Sequence, residues 1–318
     1  MQRLLILSAI LLVVLCSRVS AQEAEKNSME KAGSSLDLTI DYTGDSGFLG
    51  IYNNLVRQPT LGSSVAYYGS KGLFLFANGY SVGNSNPGLT KSTSEFDLIG
   101  GWNFYLFNEA ITLAPSFGHF FFSSGASTAK SNYANQFEVS LNGTFNWFKP
   151  SLVTDYLFGK SNGVNLNLLA AFHLEVKNLL AQGNMLVFEP STGTNYGDNS
   201  FYYRLSNLNF SSLSSLRSKY GDNITISELI ALKAVTKNKQ NERQLAALSS
   251  TATLGQLFSY TPSYQINSVD LIFPISYSIR NLMLNAALNV SFPMNIPNFL
   301  VSKTHIYFSA GVSYSFDL

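Results

Sequence analysis

Cysteine and charge are both scarce in this 318-residue chain. The one cysteine, Cys16, lies near the amino terminus, so the rest of the chain has no disulfide and no thiol chemistry. Charged residues make up 12% of the sequence and the formal net charge is +1, which leaves no basic field to attract nucleic acid. Phosphate-binding loops, dinucleotide-binding glycine motifs and zinc motifs are also missing, and we expect no cofactor.

Long apolar runs are missing as well. The amino-terminal run covers residues 4–15, whereas a membrane-spanning helix needs about 20 apolar residues. It follows Arg3 and precedes Val19-Ser20-Ala21, which is the layout of a secretory signal peptide. We therefore expect a signal peptide at residues 1–21 and a polar periplasmic leader at 22–33. Cys16 raises the alternative of a lipid-modified protein, but the preceding residue in such proteins is normally small and here it is Leu15.

Hydrophobic residues nevertheless make up 46% of the chain, and they are dispersed with a period of two. Because successive side chains of an extended chain point to opposite faces, this period predicts strands and excludes a helical membrane protein. The pattern predicts a transmembrane, antiparallel, up-and-down β-barrel of about 12 strands over residues 34–318, with ten or fourteen strands as alternatives. The predicted strands are 34–43, 60–68, 72–81, 93–104, 110–122, 136–146, 151–159, 164–176, 184–194, 264–279, 282–292 and 304–318.

The connection lengths support this count independently. Short turns alternate with long connections along the chain. The connection 160–163 is the exception, because it is short where a long one is expected. Bacterial membrane barrels have short periplasmic turns and longer outer loops, so we expect the short turns on the periplasmic side. The longest connection, 195–263, is then an extracellular loop insertion.

The two faces of the predicted strands differ in charge. One face is apolar and uncharged, as in Leu36, Leu38 and Ile40 of the first strand. The other face carries acidic residues, and the pattern places no lysine or arginine on it. A basic side chain facing lipid at the membrane midplane costs about 2–4 kcal/mol. The apolar face is therefore predicted to contact lipid and the polar face to line a lumen.

The last fourteen residues show the alternation most clearly, with large or apolar side chains at every second position from Ile306 to Leu318. Tyr314 to Leu318, with Phe316 two residues from the end, resembles the closing strand of Gram-negative outer-membrane β-barrels. The Tyr/Phe-rich and Asn/Ser-rich strands look like those of barrels from Bacteroidota, without indicating a characterised subfamily. The resemblance implies location in the cell outer membrane, insertion by the barrel-assembly machinery, and contact with outer-membrane lipid and lipopolysaccharide. It identifies no protein partner.

Acidic residues of the lumen face are the first candidate site. Those placed toward the outer mouth are Asp41, Glu95, Asp97, Glu138 and Asp270. Rings of carboxylates favour cations in pores, and carboxylate oxygens also bind divalent ions. The simpler alternative is that these acids only keep a wet lumen polar and pair with a neighbouring loop.

The long loop offers basic partners for those acids. Its basic residues are Arg204, Arg217, Lys219, Lys233, Lys237, Lys239 and Arg243. Thr225-Ile226-Ser227-Glu228 fits a capping box, which predicts a helix that continues to about Leu248. We expect the loop to fold and to pack over the acidic mouth as a lid. The alternatives are that its basic side chains face lipopolysaccharide phosphates, or that the helix is merely solvated.

These features leave three functional hypotheses. The first is a narrow channel or uptake barrel with an acidic, cation-preferring lumen. The second is a non-conducting barrel that displays the 195–263 loop to a partner or surface ligand. The third is a lipid-modifying enzyme, which we do not favour because no hydrolase motif surrounds the histidines; His119 alone has the lipid-facing parity that such an enzyme needs.

Overall fold

The structure is a computed structural model that describes residues 33–45, 59–83, 93–123, 133–160, 162–180, 182–198, 210–231, 249–259, 263–296 and 304–318. The predicted signal peptide and nearly all of the leader lie outside these residues and stay predictions. The described residues contain fifteen strand segments and three helices. The strands are β1 (Ser35–Thr43), β2 (Thr60–Tyr68), β3 (Leu73–Val82), β4 (Thr93–Trp102), β5 (Phe104–Leu106), β6 (Ile111–Phe122), β7 (Tyr133–Gly143), β8 (Phe148–Gly159), β9 (Gly163–Phe172), β10 (Leu174–Lys177), β11 (Asn184–Phe188), β12 (Ser191–Asp198), β13 (Tyr264–Ile279), β14 (Leu282–Pro293) and β15 (His305–Asp317).

The fifteen strand segments form one closed, antiparallel barrel of twelve long strands, here called staves. Three staves are each divided into two segments: β4 continues into β5, β9 into β10, and β11 into β12. Each stave pairs with its neighbours in sequence, and β1 pairs with β15 from Ser35↔Asp317 to Thr43↔Ser309, which closes the barrel. The predicted fold class and strand count are therefore confirmed. Closure leaves the sheet without an unpaired edge.

The predicted difference between the two strand faces is present in the structure. Leu38, Ile40 and Tyr42 of β1 point outward and are 41%, 58% and 38% exposed, and their cross-strand partners are likewise on the outer face. Among the described strands, the outward positions carry no Lys, Arg or Glu, and the one Asp is Asp198 at the tip of β12. The barrel thus presents an apolar outer band and encloses the polar side chains.

One part of the lumen prediction is wrong. Lys149 and Lys177 face the lumen, although the pattern placed no lysine or arginine there. The predicted strand began at residue 151 because Lys149 and Pro150 read as a turn. In the structure β8 begins at Phe148, so Lys149 has the same parity as Asp155.

The two barrel ends differ in their connections. The turns 69–72, 107–110, 144–147, 178–183 and 280–281 lie at one end, here called the turn end. Asn146, Asn178 and Arg280 have positive φ in three of these turns, which tight reversals require. The strand ends that flank the longer connections all lie at the opposite end, here called the loop end. Which end faces the periplasm stays a prediction.

Three helices lie in the longest loop: α1 (Phe210–Tyr220), α2 (Ile226–Ala231) and α3 (Leu254–Ser259). None of the helices in the described residues is long and apolar enough to cross a membrane. The predicted capping box is confirmed, because the Thr225 backbone N–H donates to Glu228 Oε2 at 2.8 Å and the Glu228 N–H donates to Thr225 Oγ1 at 3.2 Å. The predicted continuation of this helix to Leu248 falls outside the described residues.

A second capping box starts α3 and was not predicted. The Thr253 N–H donates to Gln256 Oε1 at 3.0 Å, and the Gln256 N–H donates to Thr253 Oγ1 at 3.2 Å. Thr225 and Thr253 also pair as an isolated antiparallel bridge. Two similar capped turns therefore stand side by side, with Ile226, Leu229, Leu254 and Leu257 buried between them at 0–1% exposure.

The two boxes are expected to differ in their response to acid. The hydrogen bond from the Thr225 backbone N–H lowers the pKa of Glu228, so this cap stabilises α2 above the carboxyl group's unfolded pKa and is lost as pH falls through the folded pKa. Gln256 does not titrate. Hydrogen exchange from about pH 6 to about pH 3 should therefore show α2 losing protection before α3. In a Glu228→Gln variant this difference should disappear; an unchanged difference would show that another group causes it.

Candidate functional site in the barrel lumen

The five predicted lumen acids lie in the loop-end half of the lumen, in three groups on different strands. The first group surrounds Tyr80 of β3, because Asp97, Asp41 and Glu95 all lie within electrostatic range of its hydroxyl. Asp97 and Glu95 are 2% and 8% exposed. The Asp41 carboxylate lies against Gly62 of β2, where an added Cβ would come within 2.5 Å of Asp41 Oδ1. Gly62 therefore leaves the space that this carboxylate occupies.

The second group joins Glu138 to a carboxylate on the next strand. Glu138 of β7 is paired directly with Asp155 of β8, which is 4% exposed. The Gln136 side-chain amide donates to Glu138 Oε2 at 3.0 Å and also to Asp155 Oδ1. Asn165 of β9 donates to Asp155 Oδ2 at 3.2 Å. Two carboxylates thus lie close together, with neutral amides as their described donors.

The third group is a hydrogen-bond network around Asp270 of β13. Its Oδ2 accepts from Asn195 Nδ2 at 2.7 Å and from Ser268 Oγ at 3.0 Å, and its Oδ1 accepts from Ser291 Oγ. Asn167 extends the network by donating to Asn195 Oδ1 at 2.7 Å. Neutral donors hold this half-buried carboxylate in a fixed position and replace part of the hydration that it loses.

The turn end of the lumen has a different electrostatic character. Lys149 Nζ and His173 Nδ1 both lie 2.6 Å from Glu189 Oε1, and His173 Nε2 lies 3.4 Å from Glu175 Oε2. Lys177 pairs with Glu175 at 3.0 Å. Positive and negative groups alternate in this cluster. Asp37 of β1 and Asp317 of β15 also face the lumen at this end, so the acidic charge is only partly compensated. The sequence pattern missed Lys149.

A buried pair at the rim of the loop end was also missed. His305 Nδ1 lies 3.2 Å from Asp45 Oδ2, and the two side chains are 9% and 3% exposed. Asp45 follows β1 and His305 opens β15, so the pair fixes the point where the barrel closes. Asp45 fell in a predicted loop, and only the pairing of the first and last strands brings the two residues together.

The arrangement gives the lumen an acidic half and a half in which acidic and basic groups are mixed. In the described strands, the basic side chains that face the lumen are Lys149 and Lys177, and both lie at the turn end. No group of three or more His, Cys, Asp or Glu side chains in the described parts of the chain could hold a metal ion.

Two of the seven basic loop residues lie in the described residues, and both make local contacts. Arg217 of α1 donates through Nη2 to Asp222 Oδ2 at 2.9 Å, and its guanidinium lies 4.9 Å from the Phe258 ring centroid. Lys219 lies over the Tyr220 ring. These contacts hold α1 against the capped turns. Arg204, Lys233, Lys237, Lys239 and Arg243 lie outside the described residues.

His119 lies on the outer face and has an orienting companion that the sequence pattern missed. Its Nδ1 lies 2.7 Å from Asn135 Oδ1 on the neighbouring strand β7. The other described neighbours on this face are Leu98, Phe117 and Phe121, and none is a nucleophile. Ser123, which follows β6, accepts a hydrogen bond through its hydroxyl from the Ser94 N–H at 3.1 Å. His119 and Asn135 thus place an oriented imidazole on the outer face.

A closed twelve-stranded barrel with an apolar outer band and a polar lumen defines the class as an outer-membrane β-barrel protein. No protein-family model and no curated protein sequence matches the chain. It is similar in fold to an outer-membrane channel from Pseudomonas putida F1, at 10% identity and a TM-score of 0.46, over 92% of this chain and 100% of that one. It is also similar to the KdgM porin, at 10% identity and a TM-score of 0.45, over 89% of this chain and 99% of that one. A third similar structure is LpxR from Salmonella typhimurium, at 8% identity and a TM-score of 0.43, over 88% of this chain and 99% of that one.

Proposed function

We propose that this protein is a narrow channel or uptake barrel whose acidic loop-end lumen favours cations. The observation that carries the proposal is the uneven charge along the lumen. Asp41, Glu95, Asp97, Glu138, Asp155 and Asp270 lie in the loop-end half without a lumen-facing lysine or arginine in the described strands. At the turn end, Lys149 and Lys177 lie among Glu175, Glu189, Asp37 and Asp317.

Fixed carboxylates in a narrow lumen act on a passing ion more strongly than charges on an open surface, because less water screens them. Twelve strands lie between the eight that enclose only side chains and the sixteen or more that leave a wide aqueous channel. A cation would enter the acidic half readily, while an anion would meet repulsion from several strands at once. At the turn end, the alternating charges would bind neither ion strongly.

A test of this proposal is the reversal potential of the refolded protein in planar bilayers under a salt gradient. We expect a cation-selective potential that moves toward zero in Asp97→Asn combined with Glu138→Gln, with the cation-to-anion permeability ratio falling about two- to fivefold. Glu109→Gln is the matched control, because it removes the same charge from an exposed turn outside the lumen. Equal selectivity in the wild-type and double-variant proteins would refute the acidic filter.

The small core of the loop supports a second candidate, a non-conducting barrel that displays the folded loop to a partner. Ile226, Leu229, Leu254 and Leu257 give the loop an apolar core of its own. A loop that folds independently can serve either as a lid or as a displayed recognition element. Conductance of a variant lacking residues 199–260 separates the two: larger steps support a lid, and silence from both proteins supports display.

A further inference from the structure

One polar pair lies on the outer face of the barrel, where polar side chains are costly. His119 and Asn135 form a hydrogen-bonded pair there, about three residues from the loop-end terminus of β6. Apart from Asp198 at the tip of β12, His119 is the one side chain with an ionisable nitrogen or carboxylate on the outward face of the described strands. Ionisable groups that face the membrane interior or its boundary generally serve a function, because lipid does not solvate them.

The backbone of β7 is shaped to make this pair. The register between β7 and β8 shifts between Tyr133 and Asn135, so Ala134 is an extra residue at a β-bulge. Beyond the bulge Asn135 faces outward beside His119, while Gln136 faces the lumen and contacts Glu138. Bulges often re-aim a side chain in this way. The Asn135 contact orients the imidazole and leaves Nε2 available to a partner outside the barrel.

Aromatic rings surround the pair. Phe121 packs edge-on against His119 at 4.4 Å between ring centroids, and Phe96 lies 6.0 Å beyond Phe121. Phe117 contacts Phe158, which stacks on Tyr156 at 5.6 Å. Aromatic side chains of this kind concentrate at the level of the lipid headgroups. The pair therefore lies where a headgroup and the first acyl carbons meet the barrel.

We propose that His119, Asn135 and the exposed Lys160 bind the phosphate of a lipid in the leaflet at the loop end. Lys160 directly follows β8, the strand that carries Tyr156 and Phe158, and is exposed. A protonated His119 donates from Nε2 to a phosphate oxygen, while Nδ1 donates to Asn135. Lys160 supplies a second positive charge, and the rings contact the acyl chains. A charge-assisted hydrogen bond to phosphate is stronger than a neutral one, which favours a phosphate over a lipid ester carbonyl.

Lipid retention by the full-length refolded protein tests this site. The protein is reconstituted in vesicles of equal parts phosphatidylglycerol and phosphatidylcholine, extracted in mild detergent, and examined by native mass spectrometry. Both lipids carry a phosphodiester, but the choline of phosphatidylcholine neutralises its own phosphate. We therefore expect retained phosphatidylglycerol to exceed phosphatidylcholine, and His119→Leu to lower that excess about three- to tenfold. Lys160→Gln should reduce it in the same direction.

Three results would overturn the proposal. The first is equal retention by His119→Leu and the wild-type protein. The second is an equal loss in the matched control His173→Leu, which makes the same change inside the lumen; the heat-modified electrophoretic shift of both variants shows that they fold. The third is displacement of the lipid by millimolar inorganic phosphate, which would identify a free-anion site. If His119→Leu changes the oligomeric state and leaves lipid retention unchanged, the face is instead a contact between copies, and the lipid site is excluded.

Discussion

Replacing Ile40 with arginine is expected to lower the free energy of unfolding in a bilayer by about 2–4 kcal/mol. Ile40 lies near the middle of β1, is 58% exposed on the outer face, and pairs with Ser63 and Val312 on the same face. An arginine there places its guanidinium in hydrocarbon unless the side chain extends to the headgroups or the bilayer thins. The measurement is urea unfolding of the protein refolded in phosphatidylcholine vesicles, followed by intrinsic fluorescence.

The matched control is Ser64→Arg. Ser64 pairs with Thr39 of β1 and Asn78 of β3 at nearly the same depth, but on the lumen face. An arginine at this position meets the acidic half of the lumen, so we expect little loss of stability. Equal destabilisation by both substitutions would show that bulk, rather than contact with lipid, is the cause. It would also contradict the assignment of the two faces.

The strands were predictable because each stave has one face toward an apolar phase and one toward a polar phase. Apolar and polar residues therefore alternate along the sequence of each strand. The interruptions within staves were not predictable. Asn103 separates β4 from β5, and His173 separates β9 from β10, yet each chain segment keeps its alternation across the break. The same reasoning explains Lys149: a lysine beside Pro150 has turn composition, and only the pairing of Lys149 with Ala171 shows that it belongs to the strand.

The candidate site was predictable as a set of residues but not as a set of contacts. Parity alone places Glu138 and Asp155 on the lumen face, whereas their direct opposition depends on the register across the 144–147 turn. The network around Asp270 requires long-range pairing between β12 and β13, which are separated by the longest loop. The positions of the two β-bulges are harder to predict than these contacts. Their extra residues, Ala134 and Asn267, carry no local signal that distinguishes them from ordinary strand residues.

Replacing Leu229 with alanine is expected to unfold the helical part of the long loop and leave the barrel intact. Leu229 is completely buried against the second capped turn, and truncation of a buried leucine costs about 2–5 kcal/mol. A core of four apolar side chains between two six-residue helices has little stability in reserve. Hydrogen exchange with mass spectrometry should show loss of protection in both α2 and α3, while β12 and β13 keep theirs.

Ile230→Ala is the control, because Ile230 is in the same helix but is 38% exposed. Loss of protection in the neighbouring strands of Leu229→Ala would contradict an independently folded loop.

The Leu229→Ala variant also discriminates between the two candidate functions, since it removes the loop's fold while retaining its length and charge. If the loop is a lid, channel steps in Leu229→Ala should increase toward those of the 199–260 deletion. If the loop is displayed to a partner, Leu229→Ala should lose binding to that partner. Its conductance should equal that of the wild-type protein, because no residue that lines the lumen has been altered.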